Sequence, residues 1–334
     1  MMRGVRTFQR ADRDAAFRQA VDEAKQRYNI SDVVARTRKV VRAGKNEKRA
    51  LCAFHSERTP SMQLNDAKGT YHCFGCNASG DIVKYVMETE NLGFLDAMKW
   101  LGAASLPGVD PAQRAKAAAE DEGDRLRAID RAQLVWDKAS PAPGTPAEVY
   151  LRGRGIVMPL PHTIRFAKTP AWYDDASGEC GPDLPALIGA VVDGDDRLIG
   201  LQRIFLADGG KQKARMEKPK RSLGRIKGGA LRINSDADSV GDELIVTEGP
   251  EDGLSLAQEL GAEVWVTLGT AMMPHIDYPR RIVSIVIAGQ NDAAGRAAVE
   301  KAEEELIERG YATRVMWPAE GFKDWNDQLR GIRA

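Results

Sequence analysis

The sequence has no excess of either charge, no long apolar run and few cysteines. Its 48 Lys and Arg residues equal its 48 Asp and Glu residues, so recognition of a charged partner depends on local segregation of charge. The strongly apolar stretches, such as 282–288, are far shorter than the roughly 18–20 residues that span a bilayer. The first residues also lack the apolar segment and cleavage site of a secretory signal. We therefore expect a cytoplasmic protein without a membrane span.

The cysteines are arranged as metal ligands. Four cysteines in 334 residues are too few for a disulfide framework, and three of them lie between positions 52 and 76. Cys52 and His55 are separated by two residues, as are Cys73 and Cys76, so each pair can bend round one turn and bind the same ion. Seventeen residues between the pairs allow a hairpin to bring them together. Three thiolates and one imidazole complete a tetrahedral site without a position for water, which predicts a structural zinc ion.

The length predicts two or three domains. We predict a zinc-binding domain over 1–104, a helical linker over 105–145, a basic α+β subdomain over 146–240 and an α/β domain over 241–334. After residue 242, strand and helix patterns alternate, which predicts a mostly parallel sheet with helices on its faces. The predicted fold class is therefore mixed α/β with several domains.

Charge is segregated between the last two of these segments. Residues 201–232 contain ten basic and two acidic side chains, whereas residues 242–334 contain 17 acidic and nine basic ones. A basic stretch of this kind is typical of a surface that follows the phosphates of a nucleic acid or a triphosphate. The alternative is a basic face that contacts only solvent.

Carboxylates follow the predicted strands of the C-terminal segment. The five candidates are Glu248, Asp252, Asp292, Asp324 and Asp327. Because the carboxyl ends of parallel strands share one edge of the sheet, where ligands bind, we expect these side chains to converge there. Converging carboxylates repel one another unless a cation lies between them, and hard oxygen ligands select Mg²⁺ or Mn²⁺. The alternative is helix capping, for Glu251, Asp252, Asp292 and Asp324.

Several of these segments resemble a known family. The segments 52–61 (Cys-Ala-Phe-His-Ser-Glu-Arg-Thr-Pro-Ser), 68–76 and 80–81 closely resemble the zinc ribbon of bacterial and phage DnaG-type primases. The segments 248–249, 268–270, 291–296 (Asn-Asp-Ala-Ala-Gly-Arg) and 323–327 (Lys-Asp-Trp-Asn-Asp) resemble the Toprim catalytic domain of that family. The segments 145–155, 219–224 and 227–230 are similar to its short phage and plasmid branch.

The resemblance implies a DNA primase, which makes short RNA primers on single-stranded DNA during DNA replication by metal-dependent nucleotidyl transfer. The implied partners are the template, nucleoside triphosphates and a separate replicative helicase. The implied zinc ligands are Cys52, His55, Cys73 and Cys76. The implied Mg²⁺ or Mn²⁺ ligands are Glu248, Asp292, Asp324 and Asp327, and Asp252 completes the catalytic set. The implied template and nucleotide contacts are Lys213, Arg215, Lys218, Lys220, Arg221, Arg225 and Lys227.

One residue departs from the family pattern. The acidic motif of the family is usually Asp-x-Asp, and here Gln290 replaces its first acid while Asp292 keeps the second. An amide still offers an oxygen ligand but contributes no charge, so metal affinity should fall. Two alternatives therefore stay open. One is a catalytically weakened protein with a single-stranded-DNA-binding or regulatory role, and the other is a Toprim nuclease.

Overall fold

The computed structural model describes residues 22–23, 25–43, 47–103, 111–174, 177–234 and 241–333. The chain divides into two compact units, Met1–Gly123 and Asp124–Ala334. No helix in these described ranges is long and apolar enough to cross a bilayer. The boundaries predicted near residues 104 and 240 fall at segments outside the described residues, so the four-part division stays a prediction.

The first unit contains a five-stranded antiparallel sheet in the order β1-β2-β3-β4-β5. Its strands are β1 (Val40–Arg42), β2 (Glu47–Ala50), β3 (Met62–Asn65), β4 (Thr70–Cys73) and β5 (Ser79–Asp81). Its helices are α1 (Ile30–Val34), α2 (Ile82–Thr89) and α3 (Phe94–Ala103), and α4 (Pro111–Lys138) contains the boundary between the units. The Asp81 carboxylate accepts the N–H groups of Val83 and Lys84, which fixes the start of α2 against the sheet.

An antiparallel sheet opens the second unit. Its strands are β6 (Ser140–Pro141), β7 (Ile164–Pro170), β8 (Asp183–Val192), β9 (Leu198–Ala207), β10 (Gln212–Lys213) and β11 (Lys220–Gly224). The order is β10-β9-β8-β7-β6, and β11 pairs with another stretch of β9. Helix α5 (Pro146–Gly153) is capped by Thr145, whose hydroxyl accepts a hydrogen bond from the N–H of Ala147. Strands β10 and β11 come from the basic stretch, and because both pair with β9 they lie along one edge of this sheet.

The C-terminal part forms the predicted parallel sheet. Its elements are β12 (Leu231–Ile233), β13 (Glu243–Thr247), α6 (Pro250–Leu260), β14 (Val264–Val266), β15 (Ser284–Ala288), α7 (Ala293–Glu308), β16 (Ala312–Met316) and α8 (Trp325–Arg330). The strand order is β12-β14-β13-β15-β16, and every pair is parallel except β12 with β14. This confirms the mostly parallel sheet. Strand β12 belongs to it although residues 231–233 lie within the segment predicted as the basic subdomain.

The two sheets of the second unit share one hydrophobic core. Leu187 on β8 and Ile204 on β9 belong to the same buried cluster as Leu231, Ile245 and Leu254 from the parallel-sheet part. Burial of apolar surface therefore holds the edge strands β10 and β11 in a fixed relation to helix α6.

Helix α6 packs closely on the parallel sheet at a glycine. A Cβ atom on Gly253 would lie 2.4 Å from Cγ2 of Val266 and 3.1 Å from Cδ1 of Ile233. Both neighbours are fully buried, so neither can move without disturbing the core. The absence of a side chain at this position sets how closely the first turns of α6 approach β14.

The substitution Gly253→Ala should therefore destabilise the second unit. Overpacking should cost about 1–3 kcal/mol and outweigh the roughly 1 kcal/mol that alanine gains over glycine within a helix. Urea unfolding of the full chain measures the change. Gly153→Ala is the matched control, because no atom lies within 4 Å of a Cβ built there. An unchanged or higher stability for Gly253→Ala would contradict the prediction.

Candidate functional site

The two Cys and His pairs meet in the first unit. Cys52 and His55 follow β2, Cys73 is the last residue of β4, and Cys76 follows in the next turn. Their four ligand atoms lie within 4.8 Å of one another. The Sγ atoms of Cys52 and Cys76 are 3.7 Å apart, and Sγ of Cys73 is 3.7 Å from Nδ1 of His55. A tetrahedral zinc ion with Zn–S bonds of about 2.3 Å needs S···S distances of about 3.8 Å. The donor set and its geometry therefore fit zinc.

Glu57 supports this ligand set and was not singled out from the sequence. Its Oε2 lies 3.3 Å from Nε2 of His55, whose other ring nitrogen, Nδ1, is the one 3.7 Å from Sγ of Cys73. Its Oε1 accepts the backbone N–H groups of Cys52 at 2.7 Å and Ser61 at 3.1 Å. A carboxylate in this position fixes the orientation of a ligating imidazole. The signal in the sequence is a glutamate two residues after the predicted histidine ligand.

In the second unit, Glu248 lies directly after β13 at the carboxyl edge of the parallel sheet. The hydroxyl of Thr270 donates to its Oε2 at 3.0 Å, and the N–H of Leu268 donates to its carbonyl oxygen at 3.0 Å. Leu268 adopts a φ of 61°, a left-handed conformation that costs a leucine about 1–2 kcal/mol. This strained turn brings Thr270 onto Glu248 and fixes the carboxylate at the edge of the sheet.

Asp292 and Asp324 begin helices at the same edge. Oδ1 of Asp292 accepts the N–H of Gly295 at 2.7 Å, which caps α7, and Oδ1 of Asp324 accepts the N–H of Asp327 at 2.8 Å, which caps α8. The capping interpretation is therefore confirmed for these two residues. It does not exclude metal binding, because the cap uses one oxygen of each carboxylate. Oδ2 of Asp292 lies 3.8 Å from Nζ of Lys323.

Asp252 is buried beneath this edge, with 3% of its surface exposed. Its Oδ2 accepts a hydrogen bond from Nε2 of Gln290 at 2.8 Å, and its Oδ1 accepts one from the backbone N–H of Asn326 at 3.1 Å. Burial and the negative charge of Asp324 raise the pKa of Asp252 to about 7. Asp252 thus joins the loop after β15 to the first turn of α8, and both of its oxygens accept hydrogen bonds from neutral donors.

The acidic residues share an edge without forming a tight cluster. Glu248, Asp292, Asp324 and Asp327 are all partly exposed, in contrast to Asp252. Among the described residues, the Cys and His cluster of the first unit is the only group of three or more His, Cys, Asp and Glu side chains found close enough to hold a metal ion. The assignment of these carboxylates as ligands of shared metal ions stays a prediction.

Two of the predicted basic residues, Lys213 and Lys220, form ion pairs with Glu251 at the same edge. Glu251 lies in the first turn of α6 and is 6% exposed. Nζ of Lys213 lies 2.8 Å from its Oε1, and Nζ of Lys220 lies 2.9 Å from its Oε2. The hydroxyl of Tyr150 donates to Oε1 at 2.8 Å. Burial alone would raise the pKa of Glu251, but the charges of the two lysines outweigh it and hold that pKa below its usual range. The sequence predicted both lysines but not the carboxylate that binds them.

The other five basic candidates lie close to these lysines in the chain. They are Arg215, Lys218, Arg221, Arg225 and Lys227. All are exposed except Arg221 on β11, which is partly buried and donates through Nε to the carbonyl oxygen of Lys218 at 3.2 Å. Their contact with template or nucleotide stays a prediction.

Comparisons with known proteins agree with this architecture. Family models match a CHC2 zinc finger over residues 16–116, a domain of unknown function over 126–233 and a Toprim domain over 243–332. The DNA primase of Pseudomonas putida is 27% identical over 338 residues, which cover 90% of this chain and 51% of that protein. The DNA primase of Deinococcus radiodurans is 29% identical over 320 residues, covering 86% of this chain and 54% of that protein. The chain thus combines a CHC2 zinc ribbon with a Toprim domain and is similar to DnaG-type primases over most of its length. It spans about half the length of these relatives.

Among solved structures, the zinc-binding and RNA polymerase domains of Aquifex aeolicus primase are 19% identical, with a TM-score of 0.46 over 94% of this chain and 82% of that one. A DNA primase domain of Pseudomonas aeruginosa is 19% identical, with a TM-score of 0.47 over 62% of this chain and 75% of that one. The domain matches confirm the predicted cofactors: the CHC2 ribbon with its Cys and His cluster supports structural zinc, and a Toprim domain implies catalytic Mg²⁺ or Mn²⁺. The phage or plasmid branch stays a prediction.

The zinc ligands can be tested by metal analysis of the full chain. We expect about one zinc ion per chain, and a large loss of zinc on dialysis of Cys76→Ser because three ligands cannot close the site. Glu57→Ala should weaken zinc binding about 10- to 100-fold, since the imidazole loses its orienting carboxylate. Cys180→Ser is the control, because Cys180 lies outside the cluster. Full zinc content in Cys76→Ser would contradict the assignment.

The buried acid predicts a pH-dependent stability. The pKa of Asp252 is about 7 in the folded chain and about 3.9 in an unfolded chain. Its favourable contribution to the free energy of unfolding is therefore fully present below about pH 4 and is lost as the pH rises through 7. The substitution Asp252→Asn removes the ionisable group and with it this pH-dependent loss of stability. It should raise the free energy of unfolding more at pH 8 than at pH 5, by an amount on the order of 2 kcal/mol.

Urea unfolding followed by tryptophan fluorescence measures this difference, because five of the six tryptophans lie in residues 124–334. The control is Asp242→Asn, which removes an exposed carboxylate at the opposite end of β13. Equal effects of Asp252→Asn at the two pH values would show that Asp252 ionises normally.

Proposed function

We propose that the chain is a DNA primase, which synthesises short RNA primers on single-stranded DNA by metal-dependent nucleotidyl transfer. The supporting observation is the presence of a CHC2 ribbon and a Toprim domain in one chain, aligned with DNA primases over about 90% of its length. Toprim domains alone occur in proteins with other reactions, so the pairing with the ribbon carries the proposal. The proposed substrates are nucleoside triphosphates.

Four carboxylates are suited to hold the catalytic ions. Glu248, Asp292, Asp324 and Asp327 are partly exposed, oxygen-bearing and located at the carboxyl edge of the parallel sheet, which is the ligand set that Mg²⁺ and Mn²⁺ prefer. Bound divalent ions lower the pKa of an attacking 3′-hydroxyl and neutralise charge on the phosphoryl and leaving oxygens. Thr270 holds one oxygen of Glu248, and the caps of α7 and α8 hold Asp292 and Asp324. The chain thereby fixes three carboxylates before any ion binds.

Positive charge for the triphosphate and the template comes from the antiparallel sheet. Lys213 and Lys220 are held beside the acidic edge by Glu251, and Arg215, Arg225 and Lys227 add exposed positive charge. Such contacts to phosphates are salt-sensitive and depend weakly on sequence. The proposal also includes the zinc ribbon as a template contact, a separate replicative helicase as partner and a cytoplasmic location.

One observation favours a second candidate function. Gln290 replaces an acid in the family motif, and its amide nitrogen is bonded to Asp252. The acidic edge therefore has less negative charge to attract a cation than the family pattern gives. A chain weakened in this way would bind single-stranded DNA without efficient synthesis.

The deciding assay combines the purified full chain, single-stranded DNA, labelled ribonucleoside triphosphates and Mg²⁺ or Mn²⁺. Short RNA products would support primase, DNA fragments would identify a nuclease, and DNA binding without either would identify the binding protein. We expect Asp292→Asn to reduce RNA synthesis at least about 100-fold with template affinity unchanged, because the asparagine keeps the helix cap and removes the charge.

The matched control is Asp242→Asn, which removes a carboxylate from the other end of the same sheet. It should leave RNA synthesis unchanged. Template affinity that falls together with synthesis in Asp292→Asn would contradict the separate roles of the acidic edge and the basic residues.

A further inference from the structure

Glu251 forms a buried charge cluster that the acidic motif does not explain. Its two carboxylate oxygens are shared between Lys213 from β10, Lys220 from β11 and the hydroxyl of Tyr150 from α5. The glutamate side chain is 8% exposed, whereas the lysine side chains remain 26% and 42% exposed. The carboxylate is therefore the fixed centre, and each ammonium group keeps a face towards solvent.

The cluster retains positive charge. Two lysines and one glutamate leave a net charge of +1, so the carboxylate does not cancel the attraction for an anion. It also favours the protonated form of both lysines, which burial opposes. Loss of the carboxylate would leave two ammonium groups close together without a counter-charge.

The cluster adjoins the acidic edge. Glu251 is next to Asp252 in the chain, and Lys220 is close enough to Asp252 for their charges to interact. A Cβ atom on Gly249, the residue after Glu248, would lie 4.0 Å from Nζ of Lys220. The two ammonium groups thus lie beside the carboxylates that are suited to hold divalent ions.

We propose that Glu251 is a positioning residue that holds Lys213 and Lys220 at the acidic edge in the arrangement that receives the triphosphate of the incoming nucleotide. Lysine side chains are flexible, and anchoring both ammonium groups before the nucleotide arrives lowers the entropy lost on binding. Tyr150 acts one step further away, because its hydroxyl orients the carboxylate. This inference rests on the proposed primase function.

The test measures Mg²⁺–ATP affinity of the full chain together with KM and kcat for RNA synthesis. Glu251→Gln should weaken binding about tenfold and raise KM in proportion, with kcat within about twofold, because it removes ground-state binding. A simple counter-charge would have the opposite effect, since removal of a negative charge would tighten binding of an anion. The sign of the change therefore separates the two roles.

Two further variants complete the design. Tyr150→Phe keeps all three charges and should weaken Mg²⁺–ATP binding about threefold in the same direction; it decides the question if Glu251→Gln does not fold. Glu263→Gln is the matched control, because Glu263 is another buried glutamate, is paired with Arg281 at 2.7 Å, and precedes β14 at the opposite end of the sheet. It should leave affinity and KM unchanged.

The inference is overturned if folded Glu251→Gln binds Mg²⁺–ATP as tightly as the wild-type chain or more tightly, or if its kcat falls while its KM is unchanged. If Glu251→Gln does not fold, normal Mg²⁺–ATP binding by Tyr150→Phe overturns it. A wild-type chain that does not bind Mg²⁺–ATP also overturns it. A wild-type chain that shows the expected affinities but makes no RNA would contradict the primase proposal and still support the role of Glu251.

Discussion

Repulsion between carboxylates at one edge of a parallel sheet is the constraint that the second unit must satisfy. Strands β13 and β15 are neighbours, with Thr247 paired to Ala288, so the residues that follow them emerge side by side. The chain limits the repulsion in several ways. Asp292 and Asp324 are placed at helix N-termini, where backbone N–H groups and the helix dipole favour negative charge. Asp252 is buried, with a pKa close to neutrality.

The remaining compensation comes from the other sheet of the unit. Glu251 is buried at the start of α6 and is neutralised by lysines from β10 and β11, which reach it because both sheets share one core. Hydrophobic packing therefore determines an electrostatic arrangement: a shift of the antiparallel sheet would leave a buried carboxylate without its cations, which is strongly destabilising. The acidic and basic segments that are separate in the sequence become one surface through this contact.

The features that depend on local spacing could be predicted from the sequence. Two residues between Cys52 and His55, and between Cys73 and Cys76, are enough to specify the zinc knuckles, and the buried run at 285–288 is enough to specify a strand of a parallel sheet. The pairing of Lys220 with Glu251 depends instead on the register of β11 against β9, which no local pattern encodes. The bond between Gln290 and Asp252 likewise spans 38 residues and forms only when the loop after β15 meets the first turn of α6.

That bond also explains what an amide does at a position where the family has an acid. A carboxylate at Gln290 would bring a second negative oxygen towards Oδ2 of Asp252, and like charges in a buried site raise the pKa further, so that the two acids would share a proton. The amide donates to Asp252 instead, which favours its ionised form. Gln290 therefore stabilises the buried Asp252 and contributes no negative charge of its own to the acidic edge. In the proposed primase, the attraction for divalent ions would then rest on Glu248, Asp292, Asp324 and Asp327, which are partly exposed.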